Sequence, residues 1–93
     1  MNYIQKIKEQ LRTELKWGND TDYESLLDLY ATLVLVTGEK TTLENVHDAW
    51  SAWQNKTEPN HRSLKPFSEL TKEVQELDRP YTEAIIKVAK MLK

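Results

Sequence analysis

Cysteine is absent from this 93-residue chain, so disulfides, thiolate nucleophiles and Cys-ligated metals are excluded. Glycine occurs only at Gly18 and Gly38, each alone, which excludes a glycine-rich phosphate-binding loop. An excess of one charge is also missing. Thirteen Lys and Arg stand against 15 Asp and Glu, a formal net charge of −2. General nucleic-acid binding, which normally shows a basic excess, is therefore not expected. The longest mostly apolar run, Leu29 to Val36, is interrupted by Tyr30 and Thr32. It falls far short of the ~20 residues of a membrane helix, so no membrane partner is expected. The opening residues Met1-Asn2-Tyr3-Ile4-Gln5-Lys6 lack the apolar core of a secretory signal, and a cytoplasmic location is expected.

What is present suits a small globular domain, with 39% hydrophobic and 30% charged residues. We read residues 1–93 as one domain. A chain this short buries about 60–65% of its unfolded surface, which disfavours a deep catalytic cavity. Three Trp and four Tyr are many for this length, and rigid aromatics serve either a core or a binding surface.

Apolar spacing predicts helices throughout. Ile4, Ile7, Leu11 and Leu15 form one stripe, with Lys6, Lys8, Glu9, Arg12 and Lys16 on other faces. This helix is expected to stop near Trp17-Gly18-Asn19-Asp20, where Gly and Asn take left-handed caps. Thr21 with Glu24 reads as a capping box for a second helix, about Tyr23 to Thr37, whose apolar second half predicts the most buried element. Thr41 with Glu44 suggests another box, opening a helix with Val46, His47, Trp50 and Trp53 at helical spacing. Residues 55–66 form a long polar loop, locally basic, and Phe67 and Leu70 anchor a turn after it. A short helix from about Lys72 points Val74 and Leu77 inward; Pro80 then starts a last helix capped by Asp78, with stripe Tyr81, Ile85, Val88 and Leu92. The expected fold is all-α, a compact bundle of four to five helices with one long loop at about 55–66.

Catalytic machinery is not discernible. Ser25, Ser51, Ser63 and Ser68 lie in no nucleophile elbow, and only His47 and His61 are available as bases. His47, Asp48 and Glu44 lack the ligand spacing of a metal site, and Glu73, Glu76 and Asp78 read as a solvated face. We expect no enzyme activity, no metal and no cofactor. His47, Trp50 and Trp53 lie along one flank of the third helix, towards a loop carrying His61, Arg62 and Lys65. Rings beside basic groups suit stacking of a planar ligand and pairing with its phosphates. The alternative is that Trp50 is core, His47 bonds a loop carbonyl, and Arg62 and Lys65 are ordinary surface charges.

The segments His47-Asp48-Ala49-Trp50, His61-Arg62-Ser63-Leu64-Lys65-Pro66-Phe67-Ser68-Glu69-Leu70, Glu73 and Asp78-Arg79 resemble the ryanodine-receptor repeat domain over about residues 46–86. The family pattern is His-x-x-Trp, a loop, His-Pro-x-Leu-x-Pro-aromatic-x-x-Leu, an acidic helix, then Asp-Arg. Arg62 departs from it at the usual proline, and the loop between Trp50 and His61 is short and lacks glycine. The chain is also similar to short bacterial and phage proteins carrying Leu-Tyr-Ala-x-Leu-Val-Leu and Val-His-Asp-Ala-Trp segments, here Leu29 to Leu35 and Val46 to Trp50. The resemblance implies a non-enzymatic binding module in a bacterial or phage setting. Its partner would be a nucleotide-derived small molecule, bound by His47, Trp50, Trp53, His61, Arg62 and Lys65. The other reading is a protein-interaction module, such as a phage inhibitor or adaptor of a host assembly. A homo-oligomer would supply walls that one small domain lacks.

Overall fold

A computed structural model describes residues 2–18 and 21–92. Its helices are α1 (Tyr3–Leu15), α2 (Glu24–Val36), α3 (Leu43–Gln54), α4 (Lys72–Glu76) and α5 (Arg79–Met91), with single 3-10 turns at Thr21–Tyr23, Gly38–Lys40 and Phe67–Glu69. No strand occurs among the described residues, so the fold is all-α, and residues 55–66 form the long irregular connection. Helix α2 packs against α1, α3 and α5, and α1 also packs against α5. The core joins Ile7 and Leu11 of α1, Leu26, Leu27, Tyr30, Ala31 and Val34 of α2, Val46 of α3, and Ile85, Val88 and Ala89 of α5.

Burial departs from the apolar pattern at the helix ends. Leu35 and Val36 lie on the outer face of the last turn of α2, Val36 at 74% exposure, while Val34 beside them is buried. Leu33 is only partly buried, and α2 shares the centre with α5. Leu77 and Leu92, expected inside, are exposed, Leu77 at 67%, and Ala89 takes the inward place on the last turn of α5. Lys8 is the reverse case: expected outside, it is only 3% exposed. Its ammonium pairs with Glu24 and, at 2.7 Å, with Asp28, while Arg12 pairs with Glu24 and, at 2.8 Å, with Glu9. These contacts tie α1 to α2. Burial opposes the Lys8 charge, but the hydrogen bonds to Asp28 and Glu24 outweigh it and hold its pKa above 10.5. The Lys8 hydrogen bond likewise holds the Glu24 carboxyl below 4.5.

The same pairing explains why Glu24 does not cap α2: Tyr23 is the N-cap and makes no side-chain capping bond. The Thr21 side chain and Asn19, the other residues assigned to capping there, lie outside the described residues. Helix α3 is boxed one residue later than expected. Thr42 Oγ1 accepts from Asn45 N at 3.1 Å and Asn45 Oδ1 from Thr42 N at 2.9 Å. Thr41 instead turns inward, its hydroxyl donating to the Gly38 carbonyl at 2.7 Å. Helix α1 ends not on Gly18 but on Lys16, whose φ of 58° is left-handed. Trp17 N donates to Arg12 O at 3.0 Å and Lys16 N to Thr13 O at 3.3 Å, which closes the last turn as a Schellman motif and aims Trp17 back over the bundle.

Two predictions follow from these contacts. Lys16→Gly removes the side-chain penalty of the left-handed conformation and should stabilise the protein by about 1 kcal/mol in urea unfolding. The depressed Glu24 pKa means its stabilisation is fully present above pH 4.5 and is lost as pH falls through the lower folded value. Melting temperature should therefore fall through the acid range, and Glu24→Gln should flatten that decline while lowering stability at neutral pH.

Candidate functional site

A cleft of about 620 Å³ opens between α2, α3, the α4–α5 junction and the long loop. That volume falls in the range of ~300–1,000 Å³ typical of small-molecule sites. Eight ring side chains line it: Trp17, Tyr23, Tyr30, His47, Trp50, Trp53, His61 and Tyr81. Leu26, Gln54, Ser63, Val74, Leu77 and Asp78 complete the lining.

The rings are mutually braced. Trp17 stacks on Tyr23 at 5.0 Å between centroids, and Tyr23 lies 5.9 Å from Trp53, forming one wall. Trp53 Nε1 donates to Ser25 Oγ at 3.1 Å, fixing that indole to α2. Tyr30 and Tyr81, 6.0 Å apart and each beside Trp17, join this wall to the core. On the other side Trp50 stands between His47, stacked at 5.8 Å, and His61, edge-on at 5.2 Å. Burial, then the charge of Asp78, pushes the Tyr30 hydroxyl well above its ordinary pKa, so it stays a neutral donor.

His47 is 3% exposed, and its Nε2 lies 2.8 Å from the Lys65 carbonyl, with Ser51 Oγ at 3.3 Å. A carbonyl only accepts, so Nε2 carries the proton and Nδ1 faces Asp78 Oδ2 at 3.9 Å. The loop-carbonyl alternative for His47 is thus realised, and the ring also lines the cleft. His61 Nδ1 accepts from Ser63 N at 3.0 Å, a local turn that presents this ring to Trp50. Asp78 starts α5 without a side-chain cap bond; its backbone carbonyl accepts from Thr82 N and Oγ1, each at 2.9 Å, while its carboxylate turns to the cleft. Burial raises the Asp78 pKa above 3.8, and the charge of His47 in its protonated form offsets part of the shift.

Of the six residues assigned to the site from sequence, His47, Trp50, Trp53 and His61 come together in the cleft. Arg62 and Lys65 do not line it. Arg62 is exposed, and Lys65 borders a separate, more open depression of about 440 Å³ with Asp48, Ser51 and Pro66. The loop delivers its backbone carbonyl to His47 and leaves these charged side chains outside. Trp17, Tyr23, Tyr30, Asp78 and Tyr81 were not assigned to a site; the high aromatic content was their one signal. Among the described residues, no group of three or more His, Asp or Glu is placed to hold a metal ion, and no helix is long and apolar enough to cross a membrane.

Fold and cleft together define a small all-α domain with a ligand-sized aromatic groove. The chain belongs to the family described as Domain of unknown function (DUF7701), whose model matches residues 2–90. No curated protein and no solved structure matches the chain.

Replacing His47 by Phe keeps a ring but removes the donor to Lys65. Stability should fall by about 1–3 kcal/mol, and residues 55–66 should be cut faster by protease. Unchanged cleavage would mean that the loop is held elsewhere.

Proposed function

We propose that this protein is a non-enzymatic binding module that holds a small flat-ring ligand, of the kind a nucleobase represents, in its aromatic cleft. The observation that carries this reading is the convergence of eight rings around one groove of about 620 Å³. Stacking on such rings stabilises a bound base by roughly 1–3 kcal/mol per contact and tolerates different bases. Similarity of residues 46–86 to the ryanodine-receptor repeat supports the same reading, with a bacterial or phage cytoplasm as its setting. With Arg62 and Lys65 off the lining, phosphate recognition is secondary to ring stacking. A second reading, an adaptor or inhibitor that receives a partner protein's side chain, is favoured by the exposed Leu77 at the edge of the cleft.

Titration with flat-ring compounds of neutral, positive and negative charge, adenosine and cytidine among them, tests the proposal through intrinsic fluorescence. At least one should give saturable quenching, and Tyr23→Ala, at a partly exposed ring, should weaken it about tenfold without unfolding the protein. No saturable response to any of them would move the function to a protein partner.

A further inference from the structure

The charge of the cleft is distinctive. Its lining contains no Lys or Arg but includes one carboxylate, Asp78. Among the described residues no hydrogen-bond donor reaches that carboxylate, and the nearest group able to carry positive charge is His47 Nδ1 at 3.9 Å. That separation is too long for a direct hydrogen bond. With Nε2 committed as donor to the Lys65 carbonyl, the neutral form of His47 turns a lone pair towards Asp78. Two acceptors therefore face one another across a gap that a single donor group spans. Around them stand Trp50, Tyr30 and Tyr81, whose faces attract positive charge.

We infer that the ligand of this cleft is a flat organic cation bearing N–H donors, an amidinium, guanidinium or protonated amino-heterocycle, held between Asp78 Oδ2 and His47 Nδ1 and covered by the rings. The inference rests on the flat-ligand reading of the cleft and adds a sign and a donor set to it. A cation supplies the donor that both acceptors lack, and it neutralises a half-buried carboxylate that the fold leaves without a strong partner. An anionic ring would meet Asp78 with no cation of the cleft to offset the repulsion. None of the described Lys and Arg lines the cleft, and four of them are paired with other carboxylates: Lys8 and Arg12 with Glu24, Arg79 with Glu76 and Lys87 with Glu14.

Benzamidine, benzamide and benzoate share one ring and differ in charge and donors, so they separate the contributions. Each is titrated near neutral pH against the wild-type protein and against Asp78→Asn, with Asp78→Ser as a second variant. The Asp78 side chain makes no capping bond, so a well-folded form of either variant answers the question. Wild type should bind benzamidine at least about tenfold more tightly than the other two, and the variants should reduce that preference to within about threefold. Equal binding of benzamide or benzoate, or a preference that survives loss of the carboxylate, overturns the inference while leaving the flat-ligand reading in place. No binding by any of the three, together with silence from the nucleosides, overturns the flat-ligand reading and the inference with it.

Discussion

The hydrogen bond from His47 to the Lys65 carbonyl organises this half of the molecule. Twelve residues without regular structure, 55–66, connect α3 to the turn at Phe67, with local turns closed by bonds such as His61 N to the Glu58 carbonyl and Leu64 N to the His61 carbonyl, each at 3.0 Å. The His47 ring, buried on α3, receives the end of the loop at 2.8 Å. Phe67 then packs beside the imidazole at 6.2 Å, and Gln75 Nε2 donates to the Phe67 carbonyl at 2.9 Å, which docks α4. From α4 the chain passes directly to Asp78 and α5. One side-chain donor thus ties the end of the loop to α3, beside the second wall of the cleft and the approach to the last helix. A buried donor left without this acceptor would carry its full desolvation cost, so the contact sets a narrow geometry.

Charge is handled differently where α2 meets α1 and where α2 borders the cleft. Near its N-terminus, the buried ammonium of Lys8 and the guanidinium of Arg12 meet Glu24 and Asp28, so opposite charges cancel within the protein. Such a cluster specifies how α1 and α2 align, because misregistry would strand a cation away from water. At the cleft, Asp78 has only an imidazole edge at 3.9 Å, and burial raises its proton affinity. One site is closed electrostatically and the other is left open.

The helices and their order were legible because apolar spacing survives any arrangement of neighbours, as the stripe Ile7, Leu11 and Ile85, Val88 shows. The bond of His47 to a loop carbonyl was legible too, as one of two open readings, since a histidine flanking a polar loop seeks a main-chain acceptor. Capping was read less well. Glu24 satisfied the capping pattern but found two cations on another helix, and Asn45 displaced Glu44 by making the reciprocal bonds one residue on. The site was half legible. Residues close in sequence on α3 were found together, whereas Trp17, Tyr30 and Tyr81 converge from three different helices or their ends, which no local spacing encodes. Asp78 was read as a cap because its position invites one, and only the three-dimensional arrangement turns its carboxylate to the cleft.

Tyr30 has its ring in the core and belongs to the cleft lining as well, and Tyr81 packs against that core from the same lining. The wall that meets a ligand is consequently the outer skin of the packing that keeps the domain folded. Such double duty divides the lining into two evolutionary compartments. Changes at Tyr30 or Tyr81 are filtered first by foldability, whatever they do for recognition. Tyr23, Leu77, His61 and Ser63 lie outside the buried cluster, so changes there weigh less on foldability and more on what the cleft receives. Divergence among members of this family should therefore run along the rim of the groove while its floor stays fixed.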